Sequence, residues 1–134
     1  MRGARASSID DLVTWVKLEQ FTGPQGDLHV SEFQALPFMP VRMFTVSNVP
    51  TGTTRGGHAH RDGYQLLICA GGRVDITFRR GDQHKTTICT PDSGGVLIPP
   101  GLWAQQHFIA PNSLLLVLCS HPYNEDSYIY QVSE

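Results

Sequence analysis

Residues 64–89 read YQLLICAGGRVDITFRRGDQHKTTIC. Three runs stand out in this stretch, at 64–69, 73–79 and 84–89, each rich in Leu, Ile, Val, Thr or Phe. They have the length of strands and carry no helical periodicity. Between them lie Gly71-Gly72 and Arg80-Gly81-Asp82-Gln83, the residue types of tight hairpin turns. The stretch is therefore expected to be three successive strands joined by hairpins. Working outward, 41–49 alternates apolar and polar residues as a half-buried strand does, with Val41, Met43, Phe44 and Val46 as its apolar members. Segments 29–36, 95–99, 114–119 and 128–132 also read as strands, and Pro37 and Pro40 bracket a bend. Gly23-Pro24-Gln25-Gly26 is a turn, and 51–57 a loop with three glycines. Residues 12–20 fit either a short strand or a helical turn, and 1–11 are expected to fray. The sum is about eight to ten short strands and no helix, the pattern of an all-β antiparallel sandwich or jelly roll.

Composition bounds the function. The 134 residues form one expected domain over 1–134, long enough to bury a sizeable core. Hydrophobic residues are 40% and charged residues 16%, which excludes a disordered polyelectrolyte. Ten Lys and Arg against twelve Asp and Glu give a net charge of -2, so no electrostatic grip on nucleic acid or anionic membrane is expected. No apolar run is long enough to span a bilayer, and the first residues lack a signal-peptide core. These features predict a cytoplasmic protein. Cys69, Cys89 and Cys119 cannot all pair within the chain and match no compact zinc spacing. They read as buried free thiols.

The chemistry concentrates at 55–65, Arg55-Gly56-Gly57-His58-Ala59-His60-Arg61-Asp62-Gly63-Tyr64-Gln65. On extended backbone, residues two apart share a face, so His58 and His60 point the same way and Ala59 points away. Two imidazoles on one inward face can bind a metal or move protons. Arg55 and Gln65 add polarity, and the adjoining glycines allow close backbone approach.

This segment resembles the first cupin motif. Gly52, His58, His60, position 65 and Gly72 fall at that motif's spacing, but Gln65 stands where the family has a carboxylate. Pro99-Pro100-Gly101-Leu102-Trp103-Ala104 resembles the second motif, with Ala104 at the position of the third metal histidine. Metal sites want at least three good ligands, so a metal-free pocket is expected. A narrower resemblance is to the sugar 3,4-ketoisomerases called WxcM-like or FdtA-like. It rests on Arg55-Gly-Gly-His-Ala-His with Gln65, on Arg42-Met43-Phe44, and on Asn48-Val49-Pro50-Thr51-Gly52. It rests also on 97–103, 115–120, Tyr123-Asn124-Glu125 and Tyr128-Ile129, and it covers about residues 8–131.

That resemblance implies an RmlC-like cupin jelly roll, a homodimer often with exchanged N-terminal strands, and no metal or redox cofactor. It implies a dTDP-linked 4-oxo-6-deoxyhexose as substrate, with the carbonyl moved from C4 to C3 through an enediol. His58 is then the expected base and acid at carbon, and His60 the group that moves the oxygen-bound proton or orients the sugar, with the two roles open to reversal. Arg55 and Gln65 are expected on the oxyanion or hydroxyls. Arg73 and Arg79 share one strand face and would meet the diphosphate if that face is inward. Trp103 is expected either on the sugar or in the core. Members commonly carry a tyrosine in the strand of Phe44, where this chain has Thr45, Val46 and Ser47, so either Tyr64 or another residue fills that role or the reaction differs in detail. His107 and His121 read as surface or loop residues, and Tyr123, Tyr128 and Tyr130 as cover for the C-terminal rim or an interface. Two other functions stay open: an epimerase or dehydratase on a related nucleotide-linked keto sugar, and a carbohydrate-binding cupin without turnover.

Overall fold

The computed structural model describes residues 8–132. Two five-stranded sheets face each other. One runs β1 (Thr14–Val16), β9 (Gly95–Ile98), β6 (Gln65–Gly71), β11 (Leu114–Cys119), β4 (Arg42–Val46). The other runs β12 (Tyr128–Ile129), β5 (Thr54–His60), β10 (Trp103–Phe108), β7 (Val74–Arg80), β8 (Gln83–Cys89). All of their pairings are antiparallel and most join strands distant in sequence. This is the cupin jelly roll. β2 (Glu19–Gly23) and β3 (Gly26–Val30) form a separate two-stranded sheet.

Alternation builds the core. In β7, Val74, Ile76 and Phe78 are fully buried, and Phe108 of β10 joins them. The facing sheet supplies Leu67, Cys69, Val96, Leu115, Val117 and Cys119. All three cysteines are free and buried, and burial pushes the Cys89 thiol up to about 12. At one end of the sandwich the filling thins into the cavity described below.

Several expectations need correction. Residues 8–11 do not fray: Ile9–Leu12 is one helical turn, Ile9 sits in the core, and its N–H donates to Gln83 Oε1 at 3.0 Å. Residues 1–7 lie outside the described residues. Segment 12–20 resolves into β1 and the start of β2. Segment 29–36 is not a strand, because β3 ends at Val30 and Phe33–Ala35 is a 3-10 turn. In β4, Val41 and Met43 face out while Phe44 and Val46 face in. The loop expected over 51–57 becomes strand from Thr54. Arg80 pairs with Gln83 across a two-residue Gly81-Asp82 hairpin, as expected. Gly71-Gly72 is no hairpin, since β6 and β7 belong to different sheets. Gly72 sits at φ +74, where a Cβ would lie 2.8 Å from Ser113 Cα, so glycine is required there by close approach. Strand β10 had no counterpart in the sequence reading.

The core makes a measurable demand. Phe78→Ala removes a fully buried ring and should cost about 3–5 kcal/mol in denaturant unfolding. A loss below about 1 kcal/mol would contradict this packing.

Candidate functional site

β5 carries the site because its alternation is broken once. Ala104 of β10 pairs with His58, and the next residue, Gln105, pairs with Gly56, so Gly57 is an extra residue in β5. Gly56 and Gly57 have φ of +84 and +80, a region that side-chain-bearing residues rarely enter. Strict alternation would set Arg55 on the face opposite His58. The bulge resets the count, and Arg55, His58 and His60 all line one cavity.

The cavity has a volume of about 170 Å³. β4 contributes Arg42, Phe44 and Val46, β6 contributes Gln65 and Leu67, and β11 contributes Leu115 and Val117. Gln106 of β10 and Tyr128 of β12 complete the wall. Its cations are Arg42 and Arg55, and among the described residues no carboxylate lines it. The Arg42 guanidinium lies 4.9 Å from the centre of the Phe44 ring and 5.1 Å from that of Tyr123, which fixes its position by cation–π contact.

Four rings cluster around His60, its own included. The His58 and His60 rings meet edge to face, with centroids 5.0 Å apart. Tyr128 stacks on His58 at 4.4 Å and 10°, and meets His60 edge-on at 4.8 Å. The short pairing of β12 with β5, Tyr128 opposite His60, holds this stack. His121 stands behind His60 at 5.2 Å. Burial lowers the His58 pKa from its ordinary 6.5, against a backbone hydrogen bond at Gly56 that raises it. His60 falls to about 4, by burial first and then by the positive charges of His58, His121 and Arg42. Both imidazoles are therefore neutral near pH 7, each with a free lone pair. Burial raises the Tyr128 phenol, which keeps it a proton-bearing donor.

The other sequence-derived candidates divide. Gln65 is buried in the cavity wall and its amide nitrogen donates to Cys119 Sγ at 3.7 Å. Tyr64 faces outward, stacked on Phe38 at 6.1 Å, and is not part of the lining. Arg73 and Arg79 have the parity opposite to buried Val74, Ile76 and Phe78, so they occupy the outer face of β7. Arg73 forms a two-bond pair with Asp75 at 2.9 and 3.0 Å, and Arg79 lies 5.6 Å over Trp103. Trp103 donates to the Tyr130 carbonyl at 3.2 Å, outside the cavity. His107 is an outer residue bonded to Thr54 Oγ1 at 2.7 Å. His121, expected as a surface or loop residue, lies in the bend after β11 with both ring nitrogens buried. The sequence reading missed Arg42, Gln106 and Tyr128 as lining residues. Arg42 was legible, since it shares parity with Phe44 and Val46. Gln65 and Ala104 leave the two histidines without further strong donors, and no group of three or more His, Cys, Asp or Glu among the described residues is placed to share an ion. The residues present do not fit the cupin metal.

Comparison with known proteins shows which family the chain resembles. A family described as FdtA, WxcM-like, C-terminal, matches residues 11–134. The TDP-4-oxo-6-deoxy-alpha-D-glucose-3,4-oxoisomerase of Aneurinibacillus thermoaerophilus is 26% identical over 102 residues, spanning 76% of this chain and 73% of that protein. The 3,4-ketoisomerase QdtA of Thermoanaerobacterium thermosaccharolyticum, solved with TDP, is 30% identical. Its TM-score is 0.84, with 90% of this chain and 88% of that one covered. The TDP-fucose-3,4-ketoisomerase WlaRA of Campylobacter jejuni is 25% identical, with a TM-score of 0.78 and 89% of each chain covered. With its bulged histidine strand, its cationic cavity and a family match over nearly its whole length, the chain belongs to the FdtA family of WxcM-like proteins.

Proposed function

We propose that the protein is a nucleotide-sugar 3,4-ketoisomerase that moves the carbonyl of a dTDP-4-oxo-6-deoxyhexose from C4 to C3. The observation that carries this reading is the pair of neutral histidines on one wall of a cavity that holds two arginines and, among the described residues, no carboxylate. At about 170 Å³ the cavity falls below the ~300–1,000 Å³ typical of pockets that enclose whole ligands. It suits one sugar ring, with the nucleotide across the mouth. QdtA was also solved with TDP-4-keto-6-deoxyglucose, which supports this substrate class. Three free thiols fit a reducing cytoplasm.

The C3 hydrogen of a 4-oxo sugar is acidic because its removal gives an enolate. The His58 lone pair takes that proton. Charge develops on O4, where the guanidiniums of Arg55 and Arg42 and the amides of Gln65 and Gln106 are the available donors. The O3 proton passes to His60 and from it to O4, and C4 gains a proton from the His58 imidazolium, so both histidines end neutral. The carbonyl then stands at C3, and no hydride has left the sugar. Tyr128, stacked on His58, is the phenol within reach of the reacting atoms and takes the role expected of a β4 tyrosine, whose strand offers Val46 to the cavity instead. Gln65 acts through an amide that Cys119 holds in place.

The functional unit is a homodimer. β2 and β3 form a hairpin apart from both main sheets, with Phe21 opposite Leu28 and both more than half exposed. An isolated hairpin is marginal in water. Met43 and Val41 on the outer side of β4, and Trp15 on β1, expose further apolar surface. A second copy buries these faces together and covers the sheet edges.

Four outcomes test the reading. His58→Asn keeps polarity and removes the base, so turnover should fall by about 10²–10⁴ while TDP-sugar affinity changes little. Near wild-type turnover by a folded His58→Asn protein excludes His58 as the base. The acid limb of kcat/KM should lie below pH 6.5, because burial holds both histidines neutral there. A limb centred above pH 7 contradicts that assignment. Stability should follow the same direction. As pH falls below 6.5 the unfolded chain binds protons first, so stability drops from there toward the folded His60 value of about 4. Finally, sedimentation at micromolar concentration should give twice the chain mass, and a monomer there rules the dimer out.

A further inference from the structure

The two walls of the cavity differ in kind. The sheet of β5, β10 and β12 presents Arg55, His58, His60, Gln106 and Tyr128. The facing sheet presents Phe44 and Val46 from β4, Leu67 from β6, and Leu115 and Val117 from β11, with Arg42 and Gln65 at one end. Strand register joins those five apolar side chains into one patch. Leu115 stands beside Val46, and Val117 lies between Phe44 and Leu67. Leu67, Leu115 and Val117 are buried, so core packing closes the wall behind them.

Groups that can exchange a proton with carbon are therefore confined to one side. His58 and His60 share the inward face of β5. Tyr128 reaches them from the neighbouring strand of the same sheet, its ring 4.4 Å from that of His58 and 4.8 Å from that of His60. On the facing wall, a guanidinium and a primary amide do not give protons to carbon near neutral pH, and an apolar patch offers water no partner. Among the described residues, that wall holds no acid or base for the reaction. A pyranose lying between sheets about 10 Å apart turns one face to each. The reacting C3–H faces β5, since His58 takes its proton.

We propose that proton transfer is confined to one face of the sugar, so that dTDP-4-oxo-6-deoxyglucose yields a 3-oxo product whose new 4-hydroxyl is axial, in the galacto configuration. The proposal deepens the ketoisomerase reading and rests on it. In that substrate the C3 and C5 hydrogens lie on the same face of the ring. His58 takes the C3 proton, and the C3–H electron pair becomes the C3=C4 double bond. The O3 proton passes through His60 to O4, and the pair it leaves forms the C3=O bond. The double-bond pair then takes the proton back from His58 at C4, on the face it left. Both histidines end neutral, and nothing outside the sugar is oxidised or reduced. The returned C4 hydrogen lies on the face of the C5 hydrogen, which sets the 4-hydroxyl on the other face. The same one-sidedness forbids epimerisation, because inverting C3 or C5 needs a proton removed at one face and supplied at the other.

The test is the configuration of the product, read by proton NMR during turnover of dTDP-4-oxo-6-deoxyglucose. A galacto product has a small H4–H5 coupling and a gluco product a large one. Wild type should give the galacto product alone, with C5 uninverted. His60→Gln and Tyr128→Phe each remove a proton-carrying group from the β5 wall. His60→Gln should slow turnover about 10²-fold, and both variants should keep the galacto configuration, because His58 still acts from the same side. A gluco product or a mixture of the two, from wild type or from either variant, overturns the proposal and leaves the ketoisomerase reading standing. Inversion at C5 also overturns it. If wild type moves no 4-oxo sugar carbonyl, the ketoisomerase reading itself fails and the proposal falls with it.

Discussion

The site depends on one backbone irregularity. Two consecutive glycines at positive φ place an extra residue in β5, and a single register shift turns Arg55 onto the face that already holds His58 and His60. The constraint is steric before it is chemical. A Cβ on Gly56 would stand 2.7 Å from Gln106 Oε1, and one on Gly57 would stand 3.6 Å from the Trp103 ring. Position 56 is therefore closed by conformation, and a side chain there would also have to push the Gln106 amide aside. Position 57 is closed chiefly by conformation. An ordinary strand can deliver two histidines to a cavity by alternation, but the arginine three residues earlier needs the bulge.

Electrostatics follow from that placement. Burial works against charging both imidazoles, Arg42 adds to it at His60, and among the described residues no carboxylate in the lining opposes them. Histidines so treated are poor cations and ready acceptors. The arginines are held without acidic partners in the cavity, Arg42 by the faces of two rings. Their charge is thus available to an anion in the cavity. The same desolvation that weakens His60 as a base strengthens every donor aimed at a developing oxyanion. It favours the charge that appears during reaction over the charge at rest.

Much of this was legible in the sequence, for identifiable reasons. β11 was read at its observed bounds because Leu114–Cys119 is apolar on both faces, and the β7–β8 hairpin because Gly-Asp has one strong turn preference. β10 was not, since Gln105-Gln106-His107 breaks the apolar signal. Gln106 faces a polar cavity instead of the core, so the function of the strand hid its structure. The Gly71-Gly72 reading failed because turn chemistry reports a reversal of the chain and says nothing about which sheet the next strand joins. In β4, Met43 and Phe44 are both apolar and only the fold decides which faces in. Tyr128 lies in a strand of two residues, too short for any periodicity, and its partner His60 is far away in the chain. The histidine pair was visible because its two members are neighbours in sequence. Their companions were obscure because they are neighbours only in space.

That separation has a consequence for how the protein comes into being. β5 finds its hydrogen-bonding partners in β10 and β12, and β4 finds its own in β11. Strands made early in synthesis must wait, with unpaired edges, for strands made much later. Such non-local pairing slows folding and lengthens the time that sticky edges are exposed. The reactive corner is the extreme case, because Tyr128 arrives on nearly the last strand and only then covers His58. A nascent chain can have most of its barrel in place while this corner of the cavity stays open. Docking of β12 is what sets the Tyr128 ring on His58 and completes that wall.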